Sequence, residues 1–414
     1  MKAKECFRAF FVIGGEAGFA EGLSTRFRIE GFSIMRKKRL ASPGPTPVPP
    51  ESLLAMARPV FHHRTAFFRG LLEGVNDALK YVFRTENPVL TFSSSGTGAM
   101  EGAVTNTLCA GDTALVVRGG KFGARWAEIC EAYGVNVVPI DVEWGDAVKP
   151  EVIAEKLKQD NGIRAVFTTL CETSTAVLTD IEAIGKIVRD TDALLVVDSI
   201  SGLCADDLRT DDWSVDVAIG GSQKGLMTPP GLAFAALSER ATDAMAQSTL
   251  PKYYFSFDKA LKSLEKSDTP FTPAVPLLVA LSNSLKMIQE ETLDRVLAGH
   301  AGLARAARAG VEGMGLELLS RSPANAVTAL RVPEKIDGLR LLQTIREDFG
   351  VIVAGGQASL KGKIIRIAHL GYSDDFDLLA ALASVEMALK KLGYPVEVGA
   401  GVAAAERVLV ETEV

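Results

Sequence analysis

Hydrophobic positions change their spacing twice along this chain. From about residue 75 to residue 236, short apolar runs alternate with stretches of helical period. Asn76 to Phe83 reads as helix and Val89-Leu90-Thr91-Phe92 as strand. The loop Ser93-Ser94-Ser95-Gly96-Thr97-Gly98 and a helix from Ala99 towards Leu108 follow. Further strands are predicted at Ala114–Val117, Val135–Ile140, Ala165–Leu170, Leu194–Val197, Val215–Ile219 and Leu232–Ala236. Helices fall between them at about Phe122–Tyr133, 150–159 and 181–190. Continuously apolar strands separated by helices predict a mostly parallel sheet covered on both faces. After about residue 275 the period lengthens. Leu277–Glu291, Asp294–Met314, 338–348 and Asp375–Leu392 read as helices, with short strands at Val327–Val332, Val351–Val353 and Ile364–Ile367. That is an α+β pattern, expected to form a smaller C-terminal domain.

The two ends of the pattern are less regular. Residues 1–40 mix Gly, Phe and Arg without a period and are expected to be an N-terminal extension, either disordered or preceding a natural start at Met35. Lys2, Lys4 and the apolar Ala9–Ile13 resemble a leader, but Arg8 and Glu16 interrupt it and no small-residue cleavage site follows. Residues 42–51 carry five prolines and are read as extended. Composition alone makes this a linker; Gly44 also suits a loop brought close to a ligand.

Composition narrows the function classes. Of 414 residues, 47% are hydrophobic and 23% charged, which excludes disorder over most of the length. The net charge is −6, and Arg36-Lys37-Lys38-Arg39 is the one basic run, so nucleic-acid binding is not expected. Five widely spaced cysteines with no C-x-x-C pair read as reduced thiols in the cytoplasm. Only four histidines occur, without zinc-ligand spacing, so no metal site is expected. No apolar run approaches the roughly 18 residues of a membrane span.

Three features at the C-terminal ends of predicted strands carry candidate chemistry, at the edge where open α/β sheets bind ligands. Ser93 to Ala99 joins a strand to a helix N-terminus, and its hydroxyls and backbone N–H groups suit a phosphate or a plain helix cap. Asp198 ends a buried apolar strand, where a carboxylate is costly without a cation or a capping role. Lys224, in Gly220-Gly221-Ser222-Gln223-Lys224-Gly225, follows another buried strand. It reads as a desolvated nucleophile or as a loop lysine. Together they are the parts a pyridoxal-phosphate enzyme needs: a phosphate cradle, an acid for the ring nitrogen and a lysine for the Schiff base.

Seven ordered segments carry a family resemblance over roughly residues 40 to 396. They are Pro43–Pro49, Ser95–Gly98, Gly120–Gly123, Glu172–Thr175, Val197–Ser199, Gly221–Lys224 and Gly362–Ile367. In these the chain resembles the class V pyridoxal-phosphate aminotransferases, in the alanine–glyoxylate and serine–glyoxylate (serine–pyruvate) branch. The resemblance implies a fold type I, aspartate-aminotransferase-like α/β architecture. A seven-stranded-type sheet would lie in a large domain over 41–285 that carries an N-terminal arm, with a small domain over 286–414. It implies a Schiff base at Lys224, Asp198 on the pyridine nitrogen, Thr97, Gly98, Ala99 and Gln223 at the phosphate, Phe122 on the ring, Thr173 near the ring hydroxyl and Ile200 beneath it. Arg366 and the Gly44 loop would take the substrate carboxylate.

The family places Tyr and Thr from a neighbouring subunit on the phosphate; here Phe271 and Thr272 stand in that region, and Phe271 has no hydroxyl. Ala99 replaces a histidine of some relatives, which speaks against a cysteine desulfurase, and Cys171 ends a predicted buried strand as core. His62-His63-Arg64 lies on the arm, read either as lining the substrate entrance or as ordinary surface. The expected function is a homodimeric transaminase moving an amino group from alanine or serine to glyoxylate or pyruvate. The alternatives are aspartate or aminoethylphosphonate transamination, carbon–sulfur lysis, or the role of a hydrogenase-associated subunit, a label some relatives carry.

Overall fold

A computed structural model describes residues 26–29, 32–35 and 37–411. Its centre is a seven-stranded sheet. The strands are β1 (Val89–Phe92), β2 (Thr113–Arg118), β3 (Asn136–Asp141), β4 (Ile163–Thr169), β5 (Leu194–Asp198), β6 (Val217–Gly221) and β7 (Ala233–Leu237), in the order β1-β7-β6-β5-β4-β2-β3. Neighbours from β6 through β3 pair in parallel. Only β7 runs antiparallel, to both β6 and β1, so six strands end at the same edge. The fold is the expected α/β architecture with a mostly parallel sheet.

The apolar runs make this sheet because both of its faces are covered. Leu195 and Val197 of β5 enter one core cluster with Phe83, Val166 and Leu226. Leu194 and Val196, alternating with them, enter the other with Met100, Trp126 and Phe167. Each large side chain removed from water contributes roughly 1.5–3 kcal/mol.

Four helices matter for the site: α1 (Pro50–Met56), α2 (Ala66–Phe83), α3 (Gly96–Thr107) and α4 (Lys121–Ala132). Here the structure adds to the sequence pattern. Helix α2 begins ten residues before its clear apolar period, with Thr65 Oγ1 accepting the Phe68 N–H as a cap. The proline-rich segment ends by starting α1, with Pro50 at its first position, where a missing N–H costs nothing. Helices Glu239–Gln247, Phe257–Leu264 and Ala400–Glu411 add to the elements expected from the sequence.

The C-terminal part holds a three-stranded antiparallel sheet of Val327–Arg331, Ile364–Ala368 and Ala354–Gly355. The helix Val275–Glu291 runs on past residue 285 and packs in the core of the large sheet. The chain turns at Thr292, φ 74°, into Leu293–Gly313, which packs in the C-terminal core. Of the N-terminal extension, most lies outside the described residues. Residues 26–29 and 32–35 form an antiparallel ladder, and Arg39–Leu40 pairs in parallel with Val351–Ile352. That pairing leads the next residues, 42–46, onto the edge of the large sheet. Among the described residues, no helix is long and apolar enough to cross a membrane.

Candidate active site

Five parallel strands deliver their C-terminal ends to one cavity of about 350 Å³. After β1 comes the loop to α3, with Ser95, Gly96 and Thr97. After β2 comes α4, with Phe122 and Arg125. After β4 comes Thr173; after β5, Asp198, Ile200 and Ser201; after β6, Gln223 and Lys224. Gly44 and Pro45 close it from the N-terminal segment.

Lys224 is buried. Its Nζ donates to the Pro43 carbonyl and, at 3.0 Å, to Ser201 Oγ. Burial pushes its pKa down to about 8, chiefly because an ammonium loses its hydration; Arg366 and Arg125 push the same way, and Cys171 and Asp198 oppose. A substantial share of the amine is therefore neutral near physiological pH. Asp198 is buried as well, and burial raises its carboxyl to about 6. The Ile200 N–H at 2.9 Å, Lys224 and Arg125 hold it lower than burial alone would. Among the described residues no cation pairs with Asp198 within 4 Å, so a cation placed in the cavity would stabilise its charged form.

Arg366 is buried on the strand Ile364–Ala368. Its Nε and Nη2 donate to the Gly355 carbonyl at 3.1 and 2.7 Å, and Nη1 donates to the Thr173 carbonyl at 2.8 Å. No carboxylate lies within ion-pair distance among the described residues, so the strand-end salt bridge that such an arginine usually makes is absent. Carbonyls fix the fork without neutralising it. Thr173 in turn donates its hydroxyl proton to Ser201 Oγ at 2.5 Å.

The Gly44 loop reaches over the lysine. Gly44 has φ +125°, and a Cβ there would lie 2.5 Å from Lys224 Cε and 2.7 Å from Nζ. Only glycine fits both the backbone and the approach. Thr46 anchors the loop by donating to the Lys224 carbonyl at 3.1 Å.

The structure thus brings Thr97, Phe122, Thr173, Asp198, Ile200, Gln223, Lys224 and Gly44 around one cavity, with Arg366 behind Thr173. Gly98 and Ala99 are buried in the first turn of α3 and do not line it. Phe271 stacks on Tyr254, ring centroids 5.1 Å apart, and Thr272 is exposed; neither lines the cavity of its own chain. His62 and His63 stack on each other at 4.8 Å and also lie outside it. Cys171 is buried core, its thiol pushed well up by desolvation.

Residue-by-residue reading missed Arg125 and Ser201. Arg125 lies three positions after Phe122, on the same face of α4; its guanidinium sits 4.8 Å from the Phe122 ring centroid and donates to Thr97 Oγ1 at 3.1 Å. The (i, i+3) spacing was the available signal. Ser201 lies three residues after Asp198 in an irregular turn, where no period points to it.

The model of the family described as aminotransferase class-V matches residues 50–372. The "Soluble hydrogenase, small subunit" of Synechococcus sp. is 40% identical, the match covering 90% of this chain and 98% of that one. Two relatives are 37% identical. The L-aspartate–glyoxylate aminotransferase of Paracoccus denitrificans is matched over 88% of this chain and 94% of its own. The serine–glyoxylate aminotransferase of Arabidopsis thaliana is matched over 90% and 95%. The crystal structure of ureidoglycine–glyoxylate aminotransferase from Bacillus subtilis superposes with a TM-score of 0.86 at 30% identity, covering 91% of this chain and 99% of that one. A family model spanning most of the chain, a relative at 40% identity over nearly its whole length and a site whose parts sit on the expected strand ends agree: the chain belongs to the class V aminotransferase family.

Proposed function

We propose that this chain moves an amino group from a small amino acid, alanine or serine, to glyoxylate or pyruvate, using pyridoxal phosphate held at Lys224. The observation that carries the reading is the Lys224 amine, desolvated and presented to the same cavity as a buried, cation-less Asp198. The serine–glyoxylate and ureidoglycine–glyoxylate aminotransferases among the relatives support the acceptor.

The residues present fit that cofactor. The N-terminus of α3 has no side-chain cap; the Gly98 N–H turns back to the Ser95 carbonyl, which leaves those of Gly96 and Thr97 for a phosphate. Gln223 has a buried Oε1 without a partner beside it, and its amide can turn a donor to the same phosphate. Asp198 would take a protonated ring nitrogen, Phe122 and Ile200 would pack on the ring, and Thr173 would reach its hydroxyl. When bound, the cofactor withdraws electrons from the substrate Cα. Lys224 would hold the cofactor and, once its amine is free, would carry the proton removed from the substrate Cα. Arg366, with its fork fixed by the Gly355 and Thr173 carbonyls, would hold the carboxylate common to amino and keto acids. The Gly44 loop closes over the same cavity.

We further propose a cytoplasmic homodimer. Phe271 and Thr272 lie outside their own cavity, and the N-terminal arm exposes Leu53, Leu54, Val60 and Phe67, the last two lining one groove. A partner's arm would cover that surface and bring Phe271 and Thr272 to the second cavity. We place the division between the two parts of the fold at Thr292.

One observation favours a second donor. Arg125 lines the cavity, and no acid pairs with it among the described residues, so a donor with a second carboxylate, such as aspartate, would find a counter-charge. The relative named for aspartate and glyoxylate supports this reading. A screen of alanine, serine and aspartate against glyoxylate and pyruvate separates the donors. A purified chain that takes up no pyridoxal phosphate overturns the proposal. Co-purification with a metalloenzyme and no transamination would favour the hydrogenase-associated role instead.

A further inference from the structure

Ser201 was assigned no role by the sequence, yet it touches the reacting nitrogen. A neutral lysine amine has two N–H bonds and one lone pair. In this chain both N–H directions are spent, one on the Pro43 carbonyl and one on Ser201 Oγ at 3.0 Å. The one direction left to the nitrogen is that of its lone pair. Ser201 is itself fixed. It is buried, and its Oγ also accepts the Thr173 hydroxyl at 2.5 Å. Both oxygen lone pairs are therefore occupied, and the serine's own proton is the part left to face the cavity.

Thr173 is held from its other side by Arg366, whose Nη1 donates to the Thr173 carbonyl. The guanidinium that would bind a carboxylate thus holds the Thr173 backbone, while the Thr173 hydroxyl holds Ser201 and Ser201 holds the lysine amine. We infer that Ser201 is a positioning residue for Lys224: with the Pro43 carbonyl it aims the amine lone pair into the cavity. The inference rests on the cofactor reading above.

The step it serves is the joining of lysine and cofactor. The lone pair of Nζ forms a bond to the aldehyde carbon of pyridoxal phosphate. The two amine protons and the aldehyde oxygen leave as water, and a carbon–nitrogen double bond remains. A nucleophile aimed at its target reacts faster than one free to rotate.

The charged and titratable groups acting on Lys224 are Cys171, Asp198, Arg366 and Arg125. None is altered by a change at Ser201. Removing an acceptor of an N–H bond favours the neutral amine, so Ser201→Ala cannot slow attack by keeping the lysine protonated.

The test mixes the cofactor-free protein with pyridoxal phosphate and follows the visible absorbance of the lysine adduct from neutral to alkaline pH. Ser201→Ala is expected to lower the plateau rate on the order of 10- to 100-fold, with its inflection unmoved or shifted to lower pH. Ser201→Thr, which keeps the hydroxyl, is expected to recover most of the rate. Should Ser201→Ala melt below the working temperature, Ser201→Cys replaces it, since a thiol keeps the volume but accepts weakly. A variant plateau within about twofold of the unaltered protein overturns the inference. If the unaltered protein itself forms no adduct, the cofactor reading fails first, and the two outcomes are distinct.

Discussion

The Oε2 of Glu172 accepts the backbone N–H of Phe122 at 3.0 Å across a separation of 50 residues, and that of Gly123 at 2.9 Å. Its Oε1 accepts from the Ser174 N–H at 3.1 Å and the Ser174 hydroxyl at 2.5 Å. Gly120, which precedes α4, offers no side chain to cap the helix. Glu172 therefore does from β4's end what an N-cap residue does locally, and in doing so it fixes where Phe122 stands. Glu172→Ala leaves these donors buried without an acceptor. We expect a loss of about 3 kcal/mol, since each buried donor left without an acceptor costs about 1–3 kcal/mol and the donors partly find water, read as a lowered urea midpoint. Glu172→Gln keeps one acceptor oxygen and loses about half as much. In either variant, hydrogen exchange at Phe122 and Gly123 rises while that of β5 stays protected.

The burial of Lys224 makes a prediction about stability in the absence of cofactor. Its pKa is about 8 in the fold against 10.5 for an ordinary lysine. Below about 8 the lysine is protonated in both states, and the fold bears the whole cost of a buried ammonium. Between 8 and 10.5 the unfolded chain holds the extra proton, so stability rises with pH. Above that window neither state is charged and the cost is gone. Lys224→Met removes the cost, so the cofactor-free variant is expected to exceed the unaltered protein by on the order of 3 kcal/mol at pH 7. The advantage narrows through the window. Urea melts at neutral and alkaline pH measure it, and equal midpoints at pH 7 would contradict the burial argument.

Asp206 offers the opposite sign at a position away from the cavity. It is buried; Oδ1 accepts the Asn325 N–H at 2.8 Å, and Oδ2 has no partner. Burial raises its pKa from 3.8 to about 7, against the pull of the Asn325 N–H and the Arg308 charge. A raised carboxyl is harmless below its unfolded pKa and costs stability as pH climbs through its folded one. Asp206→Asn keeps the Oδ1 contact and cannot ionise. It is expected to stabilise by on the order of 2–4 kcal/mol at pH 8 and to be neutral near pH 4. Paired thermal melts at the two pH values provide the check.

How much of this was legible before the structure depends on what each residue answers to. Strands β4, β5 and β6 were visible because they are buried on both faces, so each carries a continuous apolar run, Ala165–Phe167, Leu194–Val197 and Val217–Ile219. Asp198 and Lys224 were visible because a charge just past such a run is out of place. Helices Glu239–Gln247 and Phe257–Leu264 are amphipathic but only nine and eight residues long and bury one and two residues, too short a stretch to stand out in the pattern. Glu172 was quoted as part of a motif, but its function as a remote cap depends on how β4 and α4 pack, which spacing does not encode. Ser201 and the Pro43 carbonyl act through hydrogen-bond direction, and a backbone oxygen has no letter in the sequence. Gly44 lies between these cases: its proline-rich surroundings read as a linker, and its φ of +125° with the approach of Lys224 explains the glycine. Gly44→Ala is accordingly expected to cost about 1–3 kcal/mol and to displace the lysine, seen as weakened cofactor uptake with the melt only modestly lowered.

Arg366 makes the sharpest kinetic prediction. Its fork is held by three bonds to two carbonyls, which spend donors without cancelling charge. Burial already works against that charge, pushing the guanidinium pKa down, so the site gains when an anion enters. Lysine at this position keeps a positive charge but cannot reproduce the planar fork or reach both Gly355 and Thr173 as arginine does. Arg366→Lys is therefore expected to lower kcat/KM roughly 100-fold for the amino donor and the keto acceptor alike, mainly through KM. Both substrates must suffer because a carboxylate is the group they share. Steady-state kinetics with each substrate varied in turn gives the answer. A loss confined to one of them would assign Arg366 to that substrate's side chain, and unchanged constants for both would return it to a structural role on its strand.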